Sequence, residues 1–171
     1  MHIIVSGHTI MINYAPGSSI RVGGKQYELK QFHFHKPSEE RINGKAYAMD
    51  IHLVQADEEG HLAVVAILLE EGKASPLLDE LWKNLPKEKQ RAEETPEGVE
   101  INAADFLPTD RGYYTFDGSL TTPSCTENVT WFVLKRPVQV STSEIARFAS
   151  VYRQDARPTQ PQFDRVVLES K

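Results

Sequence analysis

The chain has 171 residues, of which 40% are hydrophobic and 25% are charged, and this size is typical of one globular domain. A net charge of -5 provides no basic surface for a polyanion, so we predict no nucleic-acid partner. No run reaches the roughly 18 consecutive apolar residues of a membrane span, and the first residues lack the pattern of a signal peptide. The sequence as given therefore predicts no membrane association and a cytoplasmic location. The single cysteine, Cys125, excludes an intrachain disulfide, so any metal site must use His, Asp or Glu.

The first two thirds of the chain carry the strongest strand signals. Polar and apolar residues alternate over residues 8–14 and 27–35, which predicts two strands with one buried face each. Residues 48–57 and 61–71 predict two long neighbouring strands joined by a short polar turn. The second of these is apolar enough to be buried on both faces, so we expect it at the centre of the sheet.

Two helices and two further strands are expected in the rest of the chain. A helix is predicted from a cap at Ser75 to Pro86, and a second begins at a capping box formed by Ser141 and Glu144. The charged residues 87–98 predict a solvated loop, and short strands are expected near residues 113–116 and 129–134. Together these elements predict a mostly β fold, α+β by content. We expect a central twisted, largely antiparallel sheet with peripheral helices in a single domain over residues 1–171.

Three histidines form the candidate metal site. His33 and His35 are two residues apart on a predicted strand, so their side chains project from the same face. His52 lies on another predicted strand, and if the two strands are neighbours the three imidazoles converge. Three ligands leave a fourth tetrahedral position open, which is typical of a catalytic metal. Three histidines accept several divalent metals, including zinc, cobalt and iron.

Polar residues beside the histidines favour this interpretation over a purely structural one. Gln31 and Asp50 each precede a histidine by two residues on the same face, where each could accept the N–H of a metal-binding ring. An alternative is a cupin-type site, because the spacing of His33, His35 and Glu39 also fits that pattern with Glu39 as a ligand. The uninterrupted strand around His52 disfavours the cupin.

Several separated motifs then match one known family. The segments QFHFH with PSE, MDIHLV, HLAVVAILLEEG, GSLTTPSCTENVTWFVLKRPVQVS and ARPTQP occur in this order and cover nearly the whole chain. The sequence resembles α-class carbonic anhydrases of the bacterial type. The resemblance implies a zinc-dependent lyase that reversibly hydrates carbon dioxide to bicarbonate and a proton, and that sulfonamides inhibit. It also implies that Zn²⁺ is held by His33, His35 and His52, with Gln31 and Asp50 as hydrogen-bond acceptors of the rings.

The resemblance implies further roles around the metal. Thr121 would accept a hydrogen bond from the attacking hydroxide while donating its own to Glu39, and His8 would be the proton shuttle. The carbon dioxide pocket would be lined by Val54, Val64, Leu120, Thr122 and Trp131.

The sequence departs from the family pattern at several points, among them Asp50 and the N-terminus. Asp50 stands where the family usually has glutamate, so its hydrogen bond to His52 is expected to be longer or water-mediated. The family's usual N-terminal segment is missing, and we expect the chain to be a truncated or short form of the domain.

Bacterial relatives are usually exported, so a periplasmic or extracellular location is also expected. A homodimer formed through exposed sheet edges is expected as well. The alternative to an enzyme is a zinc-binding but inactive interaction domain.

Overall fold

A single twisted sheet organises the molecule. The computed structural model describes residues 1–86 and 92–171. The strands are β1 (His2–Val5), β2 (Ile10–Asn13), β3 (Ser19–Val22), β4 (Lys25–His35), β5 (Met49–Ala56), β6 (Leu62–Glu71), β7 (Ala92–Glu94), β8 (Tyr113–Ser119), β9 (Glu127–Leu134), β10 (Val138–Val140) and β11 (Leu168–Glu169). They follow the order β11-β8-β9-β6-β5-β4-β2-β1-β7, with β3 beside β4 and β10 beside β6.

The expected centre of the sheet is confirmed. Strand β6 pairs antiparallel with β5 along its length, and it also pairs with β9 and β10. The pairings of β6 with β9 and β10 are parallel, so the largely antiparallel sheet is mixed at this point. Seven residues of β6 are buried, because strands cover both of its edges and side chains cover both of its faces.

The prediction of a solvated loop over residues 87–98 is wrong in part. Residues 87–91 lie outside the described residues, but Ala92–Glu94 forms β7 and pairs with β1. A strand of three residues with two glutamates carries no sequence signal of its own, and pairing with a distant strand decides its conformation.

The two predicted helices are confirmed, as α1 (Pro76–Lys83) and α2 (Thr142–Ala149). The Ser75 hydroxyl accepts the N–H of Leu78 at the start of α1, and the capping box of Ser141 and Glu144 begins α2. A short 3-10 helix covers Ala103–Phe106. None of the described helices is long and apolar enough to cross a membrane.

The two faces of the sheet bury different side chains. One face packs against both helices and the 3-10 helix, and we call it the helix-covered face; it includes Phe32 and Phe34. Phe34 is fully buried, with its ring centroid 5.0 Å from that of Trp82 in α1 and 6.4 Å from that of Phe148 in α2. The opposite face, which we call the histidine face, carries the second apolar cluster, made of Val54, Val64, Ala66, Leu68, Val129, Trp131 and Val133.

Candidate metal centre

The pairing of β4 with β5 brings the three histidines together. These strands are antiparallel neighbours, with His33 directly opposite His52 and His35 opposite Asp50. One ring nitrogen from each of His33, His35 and His52 lies within 4.8 Å of those of the other two. All three side chains are buried. The geometry that the two-residue spacing predicted is therefore present on the histidine face.

The ring of His33 has the partner that the sequence predicted. Its Nδ1 lies 2.8 Å from Oε1 of Gln31, so the N–H of Nδ1 donates to the amide oxygen. This hydrogen bond fixes the tautomer and leaves Nε2 of His33 free to bind a metal ion.

His52 is oriented mainly by a residue that the sequence analysis missed. Its Nε2 lies 3.1 Å from Oε1 and 3.2 Å from Oε2 of Glu40. Asp50, the predicted partner, is next to the ring, but its Oδ2 is 3.5 Å from the same nitrogen. Nothing in the sequence distinguishes Glu40 from an exposed charge, because its position depends on the path of the loop after β4. Nδ1 of His52 lies 3.9 Å from Oε2 of Glu39, the same oxygen that lies 3.6 Å from Nε2 of His35.

His35 provides the clearest test of whether the site fits a metal ion. Its Nε2 is buried without a hydrogen-bond partner among the described residues, while the backbone of Asp155 accepts a hydrogen bond from the ring and opposes the lowering of its pKa. Its Nε2 lies 3.6 Å from Oε2 of Glu39, and its Nδ1 lies 3.9 Å from Oδ2 of Asp155. A buried ring nitrogen with no hydrogen-bond partner is costly, and a metal ion at Nε2 would satisfy it. Three nitrogen donors without a thiolate suit Zn²⁺, so the residues fit this ion.

The protonation of the rings is set by burial and by the carboxylates. Burial, and to a lesser degree His52, lowers the pKa of His33 to about 3, and the same causes lower the pKa of His35. Both rings are therefore neutral at pH 7, which is the form that binds metal. Burial also acts to lower the pKa of His52, but the carboxylates of Glu40 and Asp50 outweigh it and raise that pKa well above its usual value. A metal ion must displace this proton.

Glu39 lies between the histidines and the loop after β8. Its Oε1 accepts the backbone N–H of Arg157 at 2.6 Å, while Oε2 faces the rings of His35 and His52. Burial raises the pKa of Glu39, and side-chain hydrogen bonding from Thr121 opposes this rise. The structure thus brings together Glu39 and Thr121, which lie 82 positions apart in the sequence.

Apolar side chains surround the same site. Val54, Val64 and Trp131 are buried in the cluster on the histidine face, and Leu120 packs against it. The ring of Trp131 meets that of His52 edge to face at 4.9 Å. Thr122 is half-buried in the β8–β9 loop, where its carbonyl accepts the N–H of Cys125. A cavity of about 510 Å³ adjoins this region and is lined in part by Glu39, Thr121 and Trp131.

His8 is not part of the histidine cluster. It is exposed in the turn between β1 and β2, where its backbone N–H donates to the Ser6 hydroxyl. The neighbouring Thr9 hydroxyl donates to the carbonyl of Phe34, so this turn is fixed beside the end of β4 that carries His35.

Among the described residues, two further groups could hold a metal ion: Glu40, Asp50 and His52, which shares His52 with the histidine cluster, and a separate group elsewhere. Asp57, Glu59 and His61 cluster at the turn between β5 and β6. Glu59 and His61 are exposed, and Asp57 stabilises the turn by accepting the backbone N–H groups of both. These contacts explain the group as a turn structure.

A mixed sheet with three buried histidines on one face, each offering one nitrogen to a common centre, is a candidate metal site in which a fourth coordination position would stay open. The family model of eukaryotic-type carbonic anhydrases matches residues 1–171, and the chain belongs to this family. This assignment excludes the cupin alternative, and the single sheet differs from the double-sheet jelly roll that a cupin requires.

Individual relatives agree with this assignment. The chain is 42% identical over 170 residues to a carbonic anhydrase of Nostoc sp., and the match covers 99% of this chain and 64% of the relative. It thus spans about two thirds of that relative's length. A hyperthermostable carbonic anhydrase from a hydrothermal vent chimney has a similar structure, with a TM-score of 0.94 and 42% identity over 99% of this chain and 76% of that one. The α-carbonic anhydrase of Thermovibrio ammonificans in complex with sulfanilamide has a TM-score of 0.93 and 36% identity, over 98% of this chain and 74% of that one.

Proposed function

We propose that the chain binds Zn²⁺ through His33, His35 and His52 and catalyses the reversible hydration of carbon dioxide to bicarbonate and a proton. The observation that carries this proposal is the convergence of three buried ring nitrogens within 4.8 Å, together with the lack of a hydrogen-bond partner for Nε2 of His35 among the described residues. Zn²⁺ on three neutral imidazoles lowers the pKa of bound water to about 7 and so supplies hydroxide at neutral pH, a value established in carbonic anhydrases themselves.

The chain's own residues orient the nucleophile. Thr121 would donate its hydroxyl proton to Glu39, so only the lone pairs of the Thr121 oxygen would face the attacking group. The attacking group must then donate its hydrogen to Thr121, which turns its own lone pair towards the substrate. The N–H of Arg157 holds Glu39 in place at 2.6 Å and favours its charged form.

The apolar wall suits the substrate. Carbon dioxide has no net dipole and is weakly hydrated, so it gains little from hydrogen-bond donors and more from apolar contact. Val54, Val64 and Trp131 provide this contact beside His52, with Leu120 at the edge of the same cluster. Thr122 would provide a polar neighbour for the bicarbonate product.

A proton must leave the site after each turnover, and His8 is the candidate carrier. Among side chains, imidazole is the one suited to accepting and releasing a proton near neutral pH. His8 is exposed to buffer, and the Thr9 hydrogen bond fixes its turn beside β4. Because His8 does not contact the histidine cluster, the proton would have to reach it through water.

Stopped-flow measurement of carbon dioxide hydration tests the proposal. We expect the zinc-loaded protein to accelerate hydration, sulfanilamide to suppress this activity, and a zinc chelator to abolish it until zinc is returned. The His33→Ala variant, checked for folding by circular dichroism, is the inactive control. A folded protein that contains one zinc per chain but hydrates carbon dioxide no faster than His33→Ala would overturn the proposal.

A further inference from the structure

Glu40 is the nearest acceptor to the outer ring nitrogen of His52. Both of its carboxylate oxygens lie within 3.2 Å of Nε2, whereas the nearer oxygen of Asp50 is at 3.5 Å. The Glu40 side chain is 12% exposed and that of His52 is 1% exposed. The contact is therefore largely shielded from water, and a charge-assisted hydrogen bond is stronger in such surroundings.

Asp50 has a closer partner than His52. Its Oδ2 accepts the backbone N–H of Glu39 at 2.6 Å and lies 3.5 Å from Nε2 of His52. Aspartate is one methylene shorter than glutamate, so while its carboxylate holds the loop it approaches Nε2 less closely than Glu40 does. The two carboxylates thus divide two tasks, with Asp50 anchoring the loop and Glu40 facing the ring.

The loop after β4 holds Glu40 in position. The Ser38 hydroxyl donates to the Glu40 carbonyl at 2.8 Å and accepts the N–H of Tyr47 at 2.9 Å. The N–H of Ser38 in turn donates to the Tyr47 carbonyl. With Glu39 fixed on one side by Asp50, the backbone of Glu40 is restrained on both sides, so its side chain is directed at His52.

We infer that Glu40 is the positioning residue of the third metal ligand: its carboxylate accepts the Nε2–H of His52, fixes the ring and presents Nδ1 to the metal ion. This inference rests on the proposed function for the identity of the metal. Outer partners of metal-binding histidines contribute about 10- to 100-fold to metal affinity. We therefore expect Glu40 to slow zinc release by a factor in this range.

The test compares zinc dissociation from the full chain and four variants, using a chelator as the trap. Glu40→Ala removes the acceptor and should accelerate zinc release by about 10- to 100-fold. Glu40→Gln keeps an acceptor oxygen without the charge, so the acceleration should be smaller. Asp50→Asn keeps an oxygen for the Glu39 N–H and should also have a smaller effect than Glu40→Ala. Glu58→Ala, at an exposed glutamate in the β5–β6 turn, is the matched control.

The visible spectrum of the cobalt-substituted protein provides a second readout, because it reports ligand geometry. It should differ from wild type in Glu40→Ala, differ less in Glu40→Gln, and stay unchanged in Glu58→Ala. Equal zinc release from Glu40→Ala and Glu58→Ala, or a larger effect of Asp50→Asn than of Glu40→Ala, would overturn the inference. If Glu40→Ala does not fold, Glu40→Gln takes its place in the comparison. Equal zinc release from Glu40→Gln and Glu58→Ala would then overturn the inference.

Hydration measured on the same samples separates the two proposals. A protein that binds zinc tightly through Glu40 but does not hydrate carbon dioxide contradicts the proposed function only. Active protein with zinc release unaffected by Glu40 contradicts this inference only, and a wild-type chain that takes up no zinc contradicts both.

Discussion

The two faces of the central sheet use alternate residues of the same strands for different purposes. On β4, Phe32 and Phe34 are fully buried among aromatic rings on the helix-covered face, while His33 and His35 point to the histidine face. The helix-covered face buries apolar area, which stabilises the fold. The histidine face holds buried polar atoms without hydrogen-bond partners among the described residues, including Nε2 of His35 and Oδ2 of Asp155. The helix-covered face also buries one such atom, Oε1 of Gln55, but only on the histidine face do they lie beside three converging rings. Because a bound ligand would satisfy these atoms, this face is the expected ligand site.

Replacing a histidine should abolish function and leave the fold largely intact. In His35→Ala, the loss of one of three ligands should weaken zinc binding by more than the roughly 100-fold that an outer partner contributes. The stability of the metal-free protein should change little, because the substitution also removes the buried Nε2, which has no hydrogen-bond partner among the described residues. Zinc titration and chemical denaturation check both expectations, and full hydration activity in His35→Ala would contradict them.

The neighbouring residue should show the opposite behaviour. Phe34→Ala removes a fully buried ring that contacts Trp82 and Phe148, and it should lower the free energy of unfolding by about 3–5 kcal/mol. Hydration per zinc-loaded, folded molecule should remain near that of wild type. Urea denaturation and stopped-flow hydration below the unfolding midpoint measure the two effects. A stability loss no greater than that of His35→Ala would contradict the division between the faces.

A smaller loss of activity is expected from a substitution in the β8–β9 loop, beside the histidine face. Thr121→Val keeps the shape of the side chain and removes the hydroxyl that bonds Glu39, so kcat/KM for hydration should fall by about 10- to 100-fold. Thr121→Ser keeps the hydroxyl and is the matched control. Zinc content should be unchanged in both variants, and equal activity of the two would rule out the orienting role.

The smallest effect concerns the pH dependence of the metal-free protein. Burial raises the pKa of Asp155 to about 7 against the opposing hydrogen bond from Lys36, so its contribution to stability is present at acid pH and is lost as the pH rises towards 7. Asp155→Asn keeps an oxygen for the Lys36 N–H and does not titrate. Between pH 5 and pH 7, wild type should lose up to about 1.4 kcal/mol per pH unit relative to Asp155→Asn. Urea denaturation at several pH values measures this difference, and parallel curves would contradict it.

Local sequence patterns were sufficient to predict the main elements and the histidine cluster. The alternation on β4 fixed which side chains share a face, and the short turn after Ala56 made β5 and β6 neighbours. The caps at Ser75 and Ser141 located both helices, since a cap is a local hydrogen bond.

The features that escaped prediction depend on contacts between distant residues. Strands β7 and β11 have three and two residues, and they form only because β1 and β8 offer edges to pair with. The role of Glu40 depends on the loop that returns from β4 to β5, whose path is set by Ser38 and Tyr47. The resemblance implied the pairing of Glu39 with Thr121, but nothing in the sequence indicated that the adjacent Glu40 faces His52.

Anomalous X-ray scattering at the zinc edge, from crystals grown with one equivalent of zinc, tests the central claim most directly. The account predicts one peak on the histidine face, about 2.0–2.1 Å from a ring nitrogen of each of His33, His35 and His52. The absence of a peak there, or a peak only at the Asp57–Glu59–His61 turn, would contradict it.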